Sequence, residues 1–363
     1  MLALLIIVVV IWLVIATSKL RYGPVPKPDE VHYTTARDGR RLALHRYRPQ
    51  GENPCGEPVL IHHGFTGSHD AFDMGLSTPQ YPVPSLSRWL SEQGYDVYAC
   101  DLRGRGFSEK PKPFGDMKWD WTLDDYVHQD DPAFLDYVIE RSDFSNAHWV
   151  GLSMGGVLLF CHCALHGSDR LASGVSLGGG LDYSGTGSAY EGQLKALPIL
   201  NYIRRMPVGK LSRLIAPFCG RWELDMERFN YNPPNISPRA QKAMYGGLIS
   251  DVSSNVMKQL ATMFSAPGLR TFDGKTAYID MAGNACTPIL NIHGTADRQA
   301  PPALGQRNMS MLKGDQHKLV VVGKEHGQLE DYGHIDLVNG MHADTEVYPH
   351  ILDWLKTHPA EKK

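Results

Sequence analysis

The chain has 363 residues, 42% of them hydrophobic and 21% charged, with a formal net charge of −3. That composition excludes a disordered polar chain, and the absence of a basic surplus gives no footprint for nucleic acid. The 36 glycines and 24 prolines fall without a period and the 6 cysteines are too few to staple a chain of this length, so collagen-like, repeat and disulfide-scaffold architectures are excluded as well.

Met1–Ser18 carries no side-chain charge. As a helix rising ~1.5 Å per residue it would reach about 27 Å, close to the ~30 Å of a bilayer's hydrocarbon core. Lys19, Arg21 and Tyr22 follow it, which suits an interfacial anchor. An N-terminal transmembrane helix over residues 1–18 is therefore expected, with a proline-bearing linker over 19–29. The competing reading is a cleaved signal peptide, for which Val14 and Ala16 supply small residues but no basic stretch precedes the apolar run. Basic residues after the span place the body on the cytoplasmic side by the positive-inside rule; cleavage would make it an exported protein.

After the linker, Val31–Thr35 and Arg41–Tyr47 flank Asp38-Gly39 and read as a hairpin. Strands and helices then alternate. Strands are expected at Val59–His62, Asp96–Cys100, His148–Leu152 and Val175–Leu177. Helices are expected at Ser85–Gln93, through Trp121–Arg141, and at Gly155–His166. This order implies a mostly parallel central sheet with helices on both faces. The rhythm breaks over 184–286, which shows helical patterns and no convincing strand. It resumes with strands at Pro288–His293 and Lys318–Val322 and a closing helix near Thr345–Lys356. The expected division is a core over 30–183 and 287–360 interrupted by a helical cap at 184–286. An insertion between two strands emerges at the sheet edge and can fold over a site there.

Gly151-Leu152-Ser153-Met154-Gly155 and Gly174-Val175-Ser176-Leu177-Gly178 both match G-x-S-x-G. The motif needs a strand before it, a tight turn, and a helix after it, so that the hydroxyl is lifted clear and helix N–H groups point at it. Ser153 has both flanks. Ser176 is followed by Gly178-Gly179-Gly180 and no helix, so Ser153 is the candidate nucleophile and Ser176 a strand end. A glycine-bearing turn, His63-Gly64-Phe65, ends an earlier strand. It nominates the backbone N–H of Phe65, with that of Met154, as the oxyanion hole; His63 itself reads as structural. Asp297 lies just past the C-terminal edge of Pro288–His293, at the rim where ligands bind in such sheets. His334 and His326 both follow the last strand. His334, preceded by Gly333, is the better base, with Asp297 fixing its tautomer.

With these residues placed, the chain resembles the α/β-hydrolase superfamily, and within it the acid lipases of gastric and lysosomal type and related bacterial lipase/esterase-like hydrolases. The resemblance is carried by His63-Gly64-Phe65, by Gly94-Tyr95-Asp96-Val97 leading into Leu102-Arg103-Gly104, by Trp119–Tyr126 with Asp131-Pro132-Ala133, and by Tyr332-Gly333-His334-Ile335-Asp336. The elbow Leu152-Ser153-Met154 resembles that of general esterases, and Asn232-Pro233-Pro234-Asn235 is similar to a segment of polyhydroxyalkanoate synthases, which use cysteine as nucleophile. The resemblance implies an α/β-hydrolase fold and cleavage of lipophilic carboxylic esters by a Ser-Asp-His triad through an acyl-enzyme. An acyltransferase or peptidase with the same triad, or a non-catalytic binding protein on this fold, are the alternatives.

Within 184–286, Val256, Leu260, Met263 and Phe264 fall on one helical face and suit an acyl pocket. No metal or cofactor is expected. HExxH spacing is absent, and Cys161, His162 and Cys163 are neighbours that a helix points in different directions.

Overall fold

A computed structural model describes residues 2–168, 170–191, 200–284 and 286–363. Its centre is an eight-stranded sheet. The first six strands are β1 (Glu30–Thr35), β2 (Arg41–Tyr47), β3 (Pro58–His62), β4 (Asp96–Asp101), β5 (Ala147–Leu152) and β6 (Leu171–Leu177). A two-stranded ribbon follows, β7 (Arg205–Met206) with β8 (Val252–Ser253), and then β9 (Ile289–Gly294) and β10 (Lys318–Val322) complete the sheet. The spatial order is β1-β2-β4-β3-β5-β6-β9-β10. The β1–β2 and β2–β4 pairs are antiparallel and the rest parallel. The hairpin turns where the sequence places it, with Gly39 at φ +88°.

The sheet is covered on both faces, and the period-2 alternation of its strands shows it. Val59 and Ile61 of β3 join Val97 and Ala99 of β4 in one apolar cluster, while Leu60, Tyr98 and Cys100 join the cluster on the other face. Every residue of β3, β4 and β5 is buried, as expected for parallel strands between two helical layers. Each fully buried Val, Leu or Ile there stabilises the fold by roughly 1.5–3 kcal/mol before entropy. Helix Leu86–Glu92 starts on Ser85, whose hydroxyl accepts from the Arg88 N–H. The Trp121–Arg141 region is a short helix capped by Thr122 and Asp125, a wide turn over Tyr126–Asp130, and helix Asp131–Glu140.

Two expectations are corrected and one helix is added. The region 184–286 does contain strand: Arg205 and Met206 pair with Ser253 and Val252, a ribbon too short for its period to register in sequence. A helix over Pro302–Met311, masked by adjacent prolines and Gly305, lies between β9 and β10. At the N-terminus, a helix runs Leu2–Tyr22, past Ser18 into residues read as linker. Its end is docked: Ser18 is buried, and Gly246 lies so close that a Cβ there would sit 2.8 Å from the Tyr22 Cβ. The following segment is tied down by Val25 N–H to the Met74 carbonyl (2.8 Å) and Lys27 N–H to Asp73 Oδ2 (2.9 Å). Among the described residues no helix is long and apolar enough to cross a membrane, and this helix's side chains are described from Val9 onward. The expected transmembrane anchor therefore finds no support in the described residues.

Candidate active site

The site lies at the C-terminal ends of β3, β5, β6 and β9. Ser153 sits between β5 and helix Met154–His166 at φ 55° and ψ −114°, a region that residues with a Cβ rarely occupy. Packing holds it there. The Ser153 N–H donates to the Leu177 carbonyl (2.7 Å) and the Trp149 indole N–H to the Gly155 carbonyl (3.0 Å). The second motif glycine permits the approach: a Cβ on Gly155 would lie 2.4 Å from the His62 carbonyl oxygen. The helix begins with no side-chain cap, so its first N–H groups and the positive end of its dipole are directed toward the serine.

Ser176 is fully buried on β6 beneath that helix. The glycines behind it fit the site instead. A Cβ on Gly178, which has φ +62°, would meet His334 at 3.0 Å and Asp297 Oδ2 at 3.2 Å. Gly178 thus makes room for His334 and Asp297, while Gly179 lies against the Ser153 carbonyl and Gly180 against Asn308.

Asp297 and His334 come together although 37 residues separate them: His334 Nδ1 and Asp297 Oδ2 are 2.7 Å apart, both buried. The second Asp297 oxygen accepts from the N–H groups of Gln299 and Ala300, each at 2.8 Å. With Nδ1–H donated to the carboxylate, His334 Nε2 is left as an acceptor. It is buried without a hydrogen-bond partner among the described residues, and His334 and Ser153 line one cavity of about 480 Å³. His326 has an exposed side chain beside Glu325. Phe65 and Met154 flank Ser153 in a second, smaller cavity.

His63 is structural: its Nδ1 pairs with the Gly64 carbonyl (2.8 Å), its Nε2 accepts from the Leu102 N–H (3.2 Å), and burial pushes its pKa down to about 4.

Two supporting residues have roles that no motif assigns. Arg105, fully buried, donates to the Phe65 carbonyl (2.7 Å) and to the Asp251 carbonyl, linking the Phe65 turn to the start of β8. Burial lowers its pKa, outweighing the opposing pull of Tyr126, Asp251 and Asp101 nearby. Asp336, two residues beyond His334, accepts from the N–H of Gly333 (2.8 Å), the Asn235 amide (3.1 Å) and the Asn232 N–H (3.3 Å). It fastens the Asn232–Asn235 segment to the histidine loop. Burial raises its pKa to about 7. Adjacency to Tyr332-Gly333-His334 is the only sequence signal it offers.

Among the described residues, one group could offer three ligands to a metal: His45, His69 and Asp101. The imidazoles stack face to face, 3.3 Å between centroids and 8° from parallel, so their in-plane lone pairs do not converge well on one ion between them. Asp101 instead accepts from both rings and from the N–H groups of His69 (2.9 Å) and Phe107 (2.7 Å). The arrangement fits a hydrogen-bonded brace. The raised pKa of His69, to about 10, reflects burial outweighed by Asp101 and Asp70.

Comparison with known proteins agrees with this fold. A family model described as alpha/beta hydrolase fold matches residues 57–340. Lipase 1 of Drosophila melanogaster is 32% identical over 141 residues, covering 38% of this chain and 30% of that protein. The chain thus matches under a third of that relative's length. A probable lipase of Schizosaccharomyces pombe is 22% identical over 372 residues, covering 92% of this chain and 75% of its own. The crystal structure of the esterase RhEst1 from Rhodococcus superposes with a TM-score of 0.57 at 18% identity, covering 91% of this chain and 99% of that one. With the elbow, the parallel sheet and a family match over most of its length, the chain belongs to the alpha/beta hydrolase fold family.

Proposed function

We propose that this protein is a serine hydrolase that cleaves carboxylic esters with lipophilic groups. Ser153 is the nucleophile, His334 the general base and acid, Asp297 the residue that orients His334, and the Phe65 and Met154 N–H groups the oxyanion donors. The segment 184–286 acts as a cap over a core formed by 30–183 and 287–360. The observation that carries this reading is the buried His334–Asp297 pair at 2.7 Å sharing a cavity with an elbow serine at φ 55°. Relatives and neighbours named as lipases and esterases support it.

In acylation the Ser153 oxygen attacks the ester carbonyl carbon while His334 Nε2 takes its proton. The oxyanion settles on the two N–H groups, and Asp297 stabilises the imidazolium without itself becoming protonated. As the tetrahedral species collapses, the carbon–oxygen bond to the alcohol breaks and His334 returns the proton to the departing oxygen. Water, deprotonated by the same nitrogen, then attacks the acyl-enzyme. The acid leaves and the proton returns to Ser153.

Membrane attachment through residues 1–18 belongs to this reading too. It is supported by their composition and by Val9, Val10, Ile11, Trp12 and Leu13, which stand exposed on the helix.

Hydrolysis of p-nitrophenyl butyrate by wild type and by Ser153→Ala tests the proposal. Loss of turnover in a folded Ser153→Ala protein supports it, and retained turnover refutes it.

A further inference from the structure

Two cavities meet at Ser153, and they are unequal. The larger, about 480 Å³, is lined by Ser153 and His334 together with Leu211, Ile215, Met226 and Phe229. The smaller, about 50 Å³, touches Ser153, Phe65 and Met154 but not His334, and is bounded by Tyr183, Met263 and Phe264.

We infer that the smaller cavity receives the acyl group and the larger the alcohol, so that the substrates are esters of short acids with large apolar alcohols. This rests on the triad proposed above. The reason is where the proton must go. When the tetrahedral species collapses, the electron pair of the breaking carbon–oxygen bond leaves on the alcohol oxygen, and His334 Nε2 protonates it. The alcohol must therefore lie on the His334 side. The acyl carbon stays on Ser153 with its oxygen held by the Phe65 and Met154 N–H groups. Phe65 borders both cavities, but Met154 borders only the smaller, and the rest of the acid extends into that one.

Size then sets the class. One water needs roughly 10–15 Å³ on this measure, so the smaller cavity holds about four such volumes, room for an acid of about two to four carbons. The larger falls within the roughly 300–1,000 Å³ of sites for sizeable apolar ligands.

The wall between them is braced. Tyr190 lines both cavities. Its ring lies 6.1 Å from Phe264 and 4.9 Å from Phe229, and Tyr183 lies 5.2 Å from Phe264. The Tyr190 hydroxyl donates to Gln299 Oε1 (2.7 Å), and the Gln299 amide donates to the Phe229 carbonyl and to Asn230 Oδ1, each at 3.1 Å. Lengthening the acyl cavity requires displacing an aromatic cluster tied to the loop that carries Asp297.

The test uses the full chain and two ester series: p-nitrophenyl esters from acetate to laurate, and acetate esters from ethyl to decyl followed by pH-stat. We expect kcat/KM to fall at least tenfold from butyrate to octanoate in the first series and to rise at least tenfold in the second. Phe264→Ala should raise octanoate turnover relative to butyrate at least tenfold. Ile215→Trp should lower decyl acetate relative to ethyl acetate by a similar factor. Labelling of Ser153 by a fluorophosphonate accompanies each measurement and reports a folded, competent site. If Ser153 is labelled but wild type prefers laurate to butyrate, or gains nothing from a longer alcohol, the cavity assignment is overturned while the triad stands. If Ser153 is not labelled in active wild type, the triad reading falls and this inference with it.

Discussion

Arg105→Met separates positioning of the oxyanion turn from stability of the fold. The guanidinium supplies partners to two carbonyls, those of Phe65 and Asp251. Both bonds are part-buried, and leaving each carbonyl unpaired costs at most about 1–3 kcal/mol. Against this, the variant removes a fully buried cation that faces no carboxylate at hydrogen-bond distance, and such a charge carries a desolvation penalty of several kcal/mol. The two terms largely cancel, so the melting temperature should move little. Catalysis has no such offset. The Phe65 turn loses its tether, and removal of a single oxyanion donor costs about 10²–10³ in kcat where it has been measured. The expected outcome is a folded protein with kcat for p-nitrophenyl butyrate reduced by about 10² and KM little changed. Arg105→Lys, which keeps a donor, should recover part of the loss. Circular dichroism melts and steady-state kinetics on the same preparations provide the assay. The reasoning is refuted if kcat stays near wild type in folded Arg105→Met, or if activity falls only in proportion to the folded fraction.

His334→Ala should abolish turnover in a folded protein, while His326→Ala should leave it largely intact; loss of activity in His326→Ala alone would show that the base has been misassigned. Asp336 has a folded-state pKa of about 7 against an ordinary 3.8. Its contribution to stability is full below about pH 4 and is lost as pH rises through 7, worth at most ~4 kcal/mol across that window. Urea melts from pH 4 to 8 should show that decline, and Asp336→Asn should flatten it; an unchanged slope in the variant would rule Asp336 out as its source. Removing residues 1–18 should leave ester hydrolysis intact, since none of the proposed catalytic groups lies there. Full-length protein should pellet with membranes after carbonate washing, and recovery of intact full-length chain in the soluble fraction would remove the anchor.

Much of this architecture is local and so legible in sequence. Buried parallel strands are short apolar runs, and the helices that precede them stop at glycines such as Gly94 and Gly167. The elbow could be told from its decoy because a helix start and a glycine run are different local patterns. Position after a strand nominates Asp297 and His334, a reading that needs topology but not coordinates. What stayed hidden is tertiary. Nothing local announces that β4 inserts between β2 and β3, that Arg105 reaches the Phe65 carbonyl, or that Asp336 pins the histidine loop to Asn232 and Asn235. The two-residue strands β7 and β8 are too short to carry a period. The unequal cavities follow from how Tyr183, Tyr190 and Phe264 pack, which no spacing encodes.

The central claim is that Ser153, and not Ser176, is the nucleophile. The most direct measurement is peptide mapping by mass spectrometry after reaction of the native protein with a fluorophosphonate. The two serines lie in sequence-distinct segments, one half-exposed at an elbow and one sealed within β6. The account predicts a single stoichiometric adduct on Ser153, absent in Ser153→Ala and retained in Ser176→Ala and in His326→Ala. An adduct on Ser176, or hydrolysis that persists in folded Ser153→Ala, would contradict it.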